Sequence, residues 1–218
     1  LDRIRRGAGP TDQLGVHRRV PALVGGLDEQ VPERPVRRRE VVRDINKLSN
    51  NVMARQVFLT LGTVSSPPPA TIEKARGAVH AWLAARKLAL PGLVIENGSG
   101  LSRNERLSAG GLARLLVAAD LSKVREELAS SLAVAALDGT VQRRFQNGNV
   151  AGQALLKTGS LEGVRALAGY VIDATGRRWI VAAIVNHPNA ARSQAALDRL
   201  VHWTYRNAAT YSASGTLH

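Results

Sequence analysis

The chain of 218 residues contains no cysteine. That excludes disulfide bridges, thiolate catalysis and cysteine-based zinc sites, and leaves the compartment open, because exported domains also fold without bridges. Aromatic residues are scarce, at 4%, and no stacking motif of the RNA-binding type is present. Long apolar runs are missing as well. A stretch such as Ile180 to Val185 spans six residues, whereas a membrane-crossing helix needs about 20, so no membrane span is expected. The amino terminus, Leu1-Asp2-Arg3-Ile4-Arg5-Arg6-Gly7, has neither an initiating Met nor a basic segment leading into an apolar stretch. No secretion signal is therefore expected within it, and an exported protein would have carried its signal further upstream. His17, His80, His187, His202 and His218 show no metal-ligand spacing with one another or with carboxylates, so neither a metal nor another cofactor is expected. No internal repeat is visible.

What is present is enough for one core. Hydrophobic residues make up 44% of the chain, which places it among globular rather than disordered sequences. The net charge is +13, and it is spread along the chain: residues 1–40 carry nine basic and six acidic residues, 41–109 nine and four, and 110–218 twelve and seven. No segment is a basic arm, so a solvated basic surface is the better reading and a basic nucleic-acid-binding protein the weaker one.

One composition break divides the chain. Residues 1–39 hold nine arginines, no lysine, no aromatic residue, five glycines and four prolines, with no sustained apolar period, and are read as an irregular segment. From residue 40 to 218 the pattern is regular. Val42, Ile45, Leu48, Val52 and Val57 fit a helical stripe running through Ser49-Asn50-Asn51, which places that triplet in a helix or at a helix junction. After Ser65-Ser66-Pro67-Pro68-Pro69, Thr71 caps a helix with Ile72, Ala75, Val79 and Trp82 or Leu83 inward, closing near Arg86-Lys87. Leu112, Leu115, Leu116 and Ala119 mark another helix, and Val124, Leu128 and Leu132 a third. Ala154 to Leu161, Ala166 to Ala174 and Trp179 to His187 then read as three sequential antiparallel strands, with Ala174-Thr175-Gly176-Arg177 as a hairpin turn. A last helix covers Ala190 to Ala209, with Ala196, Leu197, Leu200, Val201 and Trp203 or Tyr205 inward. The fold class is α+β, an antiparallel sheet flanked by helices.

Two short motifs carry chemistry. Lys157-Thr158-Gly159, followed by Ser160, lies on a predicted strand 108 residues after Ser49-Asn50-Asn51. Acyl transfer needs a nucleophile, a proton acceptor, an anion site and oxyanion donors. Lys157 supplies positive charge at a strand edge, Thr158 offers a hydroxyl to a carboxylate, and Gly159 leaves room for a peptide laid along that edge. Ser49 can relay a proton, and the Asn51 amide can bind a carbonyl and a neighbouring lysine. A nucleophilic serine three residues before a lysine occurs nowhere in the 218 residues. Thr71-Ile72-Glu73-Lys74 is no substitute, because its threonine is a helix cap. Asp138, Asp173 and Glu96 sit at turns or strand ends, where hydrogen bonding is the commoner role than general base.

Longer stretches extend the pattern: Val41 to Arg55, Glu96-Asn97-Gly98-Ser99-Gly100-Leu101-Ser102-Arg103, Leu137-Asp138-Gly139-Thr140, and Leu155 to Leu161. Over about residues 41–209 they closely resemble the D-alanyl-D-alanine carboxypeptidase/endopeptidase family, the class C low-molecular-mass penicillin-binding proteins. The resemblance implies a penicillin-binding transpeptidase/β-lactamase-like domain, incomplete at its amino terminus. It further implies a periplasmic serine peptidase acting on peptidoglycan stem peptides ending in D-Ala-D-Ala, with β-lactams as inhibitors. Carried over by position, Ser49, Asn51 and Lys157 are catalytic, and Thr158, Gly159 and Ser160 bind substrate, the Ser160 N–H completing the oxyanion hole. The Gly98 to Arg103 loop either borders the cleft or is a tight glycine-dictated turn; both readings stand.

Two departures follow. The family's first motif would precede residue 1, so the chain alone is expected to lack the acylable serine, and residues 1–39 do not match what the family carries at that point. A class A β-lactamase shares the two-motif logic, but would need a Glu with a nearby Leu-Asn, and Ala84 to Leu90 holds none. A reading from a different class is a catalytically inactive, peptide-binding module. A sheet lacking its first strands also leaves a bare edge, open to pairing with other chains.

Overall fold

A computed structural model describes residues 38–64 and 67–213. The irregular segment read over residues 1–39 therefore lies outside the described residues except for its last two, which already form the first turn of helix α1 (Arg38–Leu48).

Helix α1 gives way to α2 (Asn51–Leu61) at the predicted junction. Ser49 takes a left-handed φ of 53°, a conformation that ends a helix. Asn50 then caps α2, its Oδ1 accepting from Met53 N at 3.0 Å. This break splits the apolar stripe read across both segments. Leu48 is 67% and Val52 71% exposed, and Phe58 is instead the buried side chain of α2. Helix α3 (Ile72–Ala85) starts as expected at Thr71, whose hydroxyl accepts from Lys74 N at 3.2 Å. It buries Ala75 and Leu83, while Trp82 stays outside under the Arg86 guanidinium. Helices α4 (Ala109–Asp120) and α5 (Arg125–Ser131) follow.

The sheet is antiparallel, in the order β1 (Ala133–Val134), β2 (Ala154–Leu161), β3 (Val164–Ile172), β4 (Arg178–Asn186). The last three are the predicted meander. Strand β1 is too short to show a period in the sequence. The expected last helix begins as a 3-10 turn over Ala190–Ser193 and continues as α6 (Gln194–Ala213), with Trp203 and Ala196 left exposed.

Strand alternation assigns two cores. Ala154, Leu156, Leu167, Val171 and Val181 face α6, where Leu197 and Val201 are buried with them. Ala168 and Tyr170 face the opposite side, with Leu116 of α4 and Ala129 and Leu132 at α5. The Tyr170 hydroxyl donates to the Leu116 carbonyl at 2.9 Å, so the polar tip of this buried ring is satisfied. The β3–β4 turn closes on Asp173, buried at 3% exposure, which accepts from Thr175, Arg177 N and Trp179 Nε1.

Candidate active site

Lys157 and Gly159 alternate onto the α4–α5 face of β2, while Thr158 and Ser160 share the face of Leu156. Strand β1 pairs only with Leu155 and Leu156, so the outer edge of β2 is open from Lys157 onward among the described residues. Backbone direction on that edge follows from the ladder. Ile172 N donates to Gln153 O at 2.8 Å and Ala135 N to Ala154 O at 2.9 Å. Odd-numbered residues of β2 therefore bond to β3, and even-numbered ones, Thr158 and Ser160 among them, direct N–H and C=O outward.

The α1–α2 junction is clamped against this edge. Asn46 Nδ2 donates to Ser131 Oγ at 2.7 Å, and Lys47 Nζ to the Leu132 carbonyl at 3.0 Å and to Asp138 Oδ2. Asp138 Oδ1 in turn accepts from Val134 N at 2.7 Å. Gly139, at φ 58°, lets its turn approach the end of α1: a Cβ there would lie 2.7 Å from the Lys47 carbonyl oxygen.

The clamp brings Ser49 to Lys157. The Lys157 ammonium donates to the Ser49 hydroxyl oxygen and, at 2.9 Å, to the Thr158 carbonyl. Burial pulls the Lys157 pKa below its ordinary value. Such an amine exchanges a proton with a hydroxyl partner more readily than a solvated lysine does. The Thr158 hydroxyl donates to Thr140 Oγ1 at 2.9 Å.

Asn51 faces the glycine-rich loop, its Nδ2 donating to the Ser99 carbonyl at 2.6 Å. Arg76 holds that loop through the Ile95 carbonyl (2.8 Å) and the Glu96 carbonyl (3.3 Å), and Glu96 accepts from Ser102 and Asn104. Both readings of the loop hold together. Gly98, at φ 71°, has no room for a Cβ beside Phe58, and the same loop carries the carbonyl that orients Asn51. Beside it, a cavity of about 800 Å³ is walled by Trp82, Leu83, Leu115, Gly159, Ala166 and Ile184. Its wall includes Glu105, whose Oε1 is buried without a partner among the described residues.

Lys157 thus meets Ser49 directly, Thr158 meets Thr140, Asn51 bonds the glycine-rich loop, and Gly159 and Ser160 line the cavity beside that loop. Sequence reasoning missed the supports: Thr140, the Lys47–Asp138 pair and the Ser99 carbonyl. Asp138 and Thr140 lie in one of the family-like segments, yet no local pattern pairs them with residues so far away in sequence.

The chain is 33% identical over 171 residues to carboxypeptidase DacB of Mycolicibacterium smegmatis, covering 74% of the chain and 36% of that protein. It is 28% identical over 164 residues to a D-alanyl-D-alanine carboxypeptidase of an Actinomadura species, covering 73% and 30%. The chain thus spans about a third of the length of the curated relatives it matches. In fold it is similar to the crystal structure of penicillin binding protein 4 of Haemophilus influenzae complexed with a β-lactam, at TM-score 0.64 and 23% identity over 74% of this chain and 41% of that one. It is also similar to a predatory endopeptidase of Bdellovibrio bacteriovorus acylated by penicillin G, at TM-score 0.56 and 22% identity over 74% and 42%. The family model described as D-Ala-D-Ala carboxypeptidase 3 (S13) matches residues 37–207, and the chain belongs to that family.

Proposed function

We propose that this chain supplies the proton-relay and substrate-aligning part of a serine-type D-Ala-D-Ala carboxypeptidase/endopeptidase that acts on peptidoglycan stem peptides in the periplasm and is inhibited by β-lactams. The observation that carries the reading is the Lys157–Ser49 contact at the open edge of β2. The substrate lies along that edge as an added strand. Its terminal carboxylate meets the Lys157 charge and the Thr158 hydroxyl, and Gly159 leaves space for it. The outward Ser160 N–H faces the oxygen on which negative charge develops during attack. Asn51, held by the Ser99 carbonyl, presents its remaining amide donor and acceptor to the substrate and to the lysine of the nucleophile motif.

Attack by a serine on the penultimate D-Ala carbonyl forms an ester and breaks the amide. The attacking serine's proton passes to the lysine of its own motif; the departing amine takes a proton from the Ser49 hydroxyl, the Lys157 ammonium replaces it, and Lys157 regains it from that lysine, so the net transfer is from serine to amine. Water then releases the shortened peptide. The serine itself, in the family's Ser-x-x-Lys motif, has no counterpart in the 218 residues, so this chain alone is proposed to align substrate without acylation. A second reading is a binding module without turnover.

Intact-mass spectrometry after incubation with a penicillin decides between them, run on this chain and on the product of a longer reading frame at the same locus. The expected result is a covalent adduct on the longer product alone. An adduct on this chain overturns the division of labour, with Ser49 the first residue to test. No adduct on either favours the binding module.

A further inference from the structure

Three consecutive residues, Asp138, Gly139 and Thr140, touch both motif-bearing segments. Asp138 Oδ2 accepts from Lys47 Nζ, just ahead of Ser49, and Thr140 Oγ1 accepts from the hydroxyl of Thr158, next to Lys157, at 2.9 Å. The turn is anchored on both sides of Thr140. Ahead of it, Asp138 Oδ1 accepts from Val134 N at 2.7 Å and Gly139 sits against the Lys47 carbonyl. Behind it, Val141 is fully buried in the core under α6, and its carbonyl accepts from Arg144 N at 3.0 Å and Ala136 N at 3.3 Å. Thr140 itself is exposed, so packing does not account for a threonine there, and its hydroxyl is what the turn delivers to Thr158.

That delivery matters for what Thr158 can offer. In a strand more than one χ1 rotamer is open to a side chain, and the Thr140 bond selects the one with Oγ1 toward the turn. Hydroxyl protons rotate, so the bond can reverse. When a carboxylate reaches Thr158, Thr140 donates to Thr158 Oγ1 and the Thr158 proton turns to the carboxylate. Thr158 then accepts from one partner and donates to the other, and an accepted hydrogen bond strengthens the one given. The Lys157 ammonium holds the same residue through its carbonyl at 2.9 Å, which keeps charge and hydroxyl in register.

We infer that Thr140 is a positioning residue for substrate recognition: it fixes the Thr158 side chain and, by donating to its oxygen, commits the Thr158 proton to the terminal carboxylate of the peptide. The inference rests on the carboxylate role proposed above for Thr158. It adds a residue outside the two motifs, and it gives the Asp138–Thr140 turn a second task. The turn that braces the Ser49 junction through Lys47 also sets the donor beside Lys157, so the two motifs are aligned by one short segment.

The test uses the whole chain and its Thr140→Val and Thr140→Ser variants. Valine keeps the shape and removes the hydroxyl, whereas serine keeps the hydroxyl, and the exposed position tolerates both. Scalar couplings to the Thr158 methyl group report its χ1. Titration followed by NMR, with N-acetyl-D-Ala-D-Ala and with its carboxy-terminal amide, reports binding. The wild type and Thr140→Ser are expected to hold Thr158 in one rotamer, and Thr140→Val to average it. Thr140→Val should weaken the carboxylate ligand about fivefold, and the amide, which forms no charge-assisted bond, by no more than about twofold. Thr140→Ser restores both. A Thr158 rotamer unchanged by Thr140→Val overturns the inference, as does equal weakening of the two ligands or a loss that serine does not restore. A wild type that binds neither ligand, or both equally, defeats the proposed carboxylate site instead, and the couplings alone then decide whether Thr140 holds Thr158.

Discussion

The Lys157 ammonium donates to the Ser49 hydroxyl across 108 residues of sequence, and it does so from a buried position that lowers its pKa from the ordinary 10.5. In the window just under 10.5 the unfolded chain binds more protons than the folded one. Stability from this group therefore rises with pH there, and is lowest where the amine is charged in both states. Lys157→Met removes a charge that burial disfavours, so the variant is expected to melt at the same temperature as the wild type or a few degrees above it at pH 7. The wild type gains on the variant as pH rises toward 10. Paired thermal melts at pH 7 and 9.5 check this, and a wild type that loses ground with rising pH would contradict it.

Gly139 is the hinge of the clamp behind Ser49. A Cβ there would stand 2.7 Å from Ala133 Cβ and 2.7 Å from the Lys47 carbonyl oxygen, at a φ of 58°. Gly139→Ala is expected to cost roughly 2–3 kcal/mol, the sum of overpacking and left-handed strain. Gly152 shares the left-handed φ, at 74°, but a Cβ there would meet only Leu137 Cδ1 at 3.7 Å, so Gly152→Ala should cost about 1 kcal/mol. Urea midpoints of the two variants measure the difference, and equal losses would remove close approach as the reason for Gly139.

Elements whose residues repeat at a fixed period are legible in the sequence itself. Strand β2 spans the expected Ala154–Leu161, and Thr71 caps α3 as its position in the sequence implies. The apolar stripe through Ser49 misleads, because periodicity registers spacing and is blind to a left-handed residue that re-aims the next helix. Ser49, Asn51 and Lys157 are legible only as motif members. What unites them, the Lys47–Asp138 pair and the Ser99 carbonyl, joins residues 91 and 48 positions apart, and no local pattern encodes such a pairing.

The amide of Asn51 has its orientation set by the Ser99 carbonyl at 2.6 Å. Asn51→Asp places a carboxylate oxygen against that carbonyl, and the lost bond with its unpaired acceptors is expected to cost about 1–3 kcal/mol. The effect should concentrate in the loop: the Ser99 amide, bonded to Asn97 Oδ1, and the Leu101 amide, bonded to Ser99 Oγ, exchange faster while the Tyr170 core is unchanged. Hydrogen exchange at these positions measures it, and uniform loosening of the whole chain would show that Asn51 acts on the fold rather than on the loop.

Asp173 gives the β3–β4 turn an acid-sensitive contribution to stability. Its burial raises the carboxyl pKa, but donors from Thr175, Trp179 Nε1 and the backbone N–H groups of Arg177 and Thr175 outweigh that and bring it from 3.8 to about 2. A depressed folded-state pKa contributes stability above the unfolded value, and that contribution disappears as pH falls from about 3.8 to about 2. In Asp173→Asn, one side-chain oxygen still serves the turn, while the amide nitrogen replaces the oxygen that accepts from Trp179 Nε1. Two donors then face each other, so the variant melts lower than the wild type at pH 7. Its stability lacks this group's acid transition, so the gap between the two closes as pH falls toward 2. Melts followed by Trp179 fluorescence across that range test the sign, and a gap that widens on acidification would assign the turn's stability to another group.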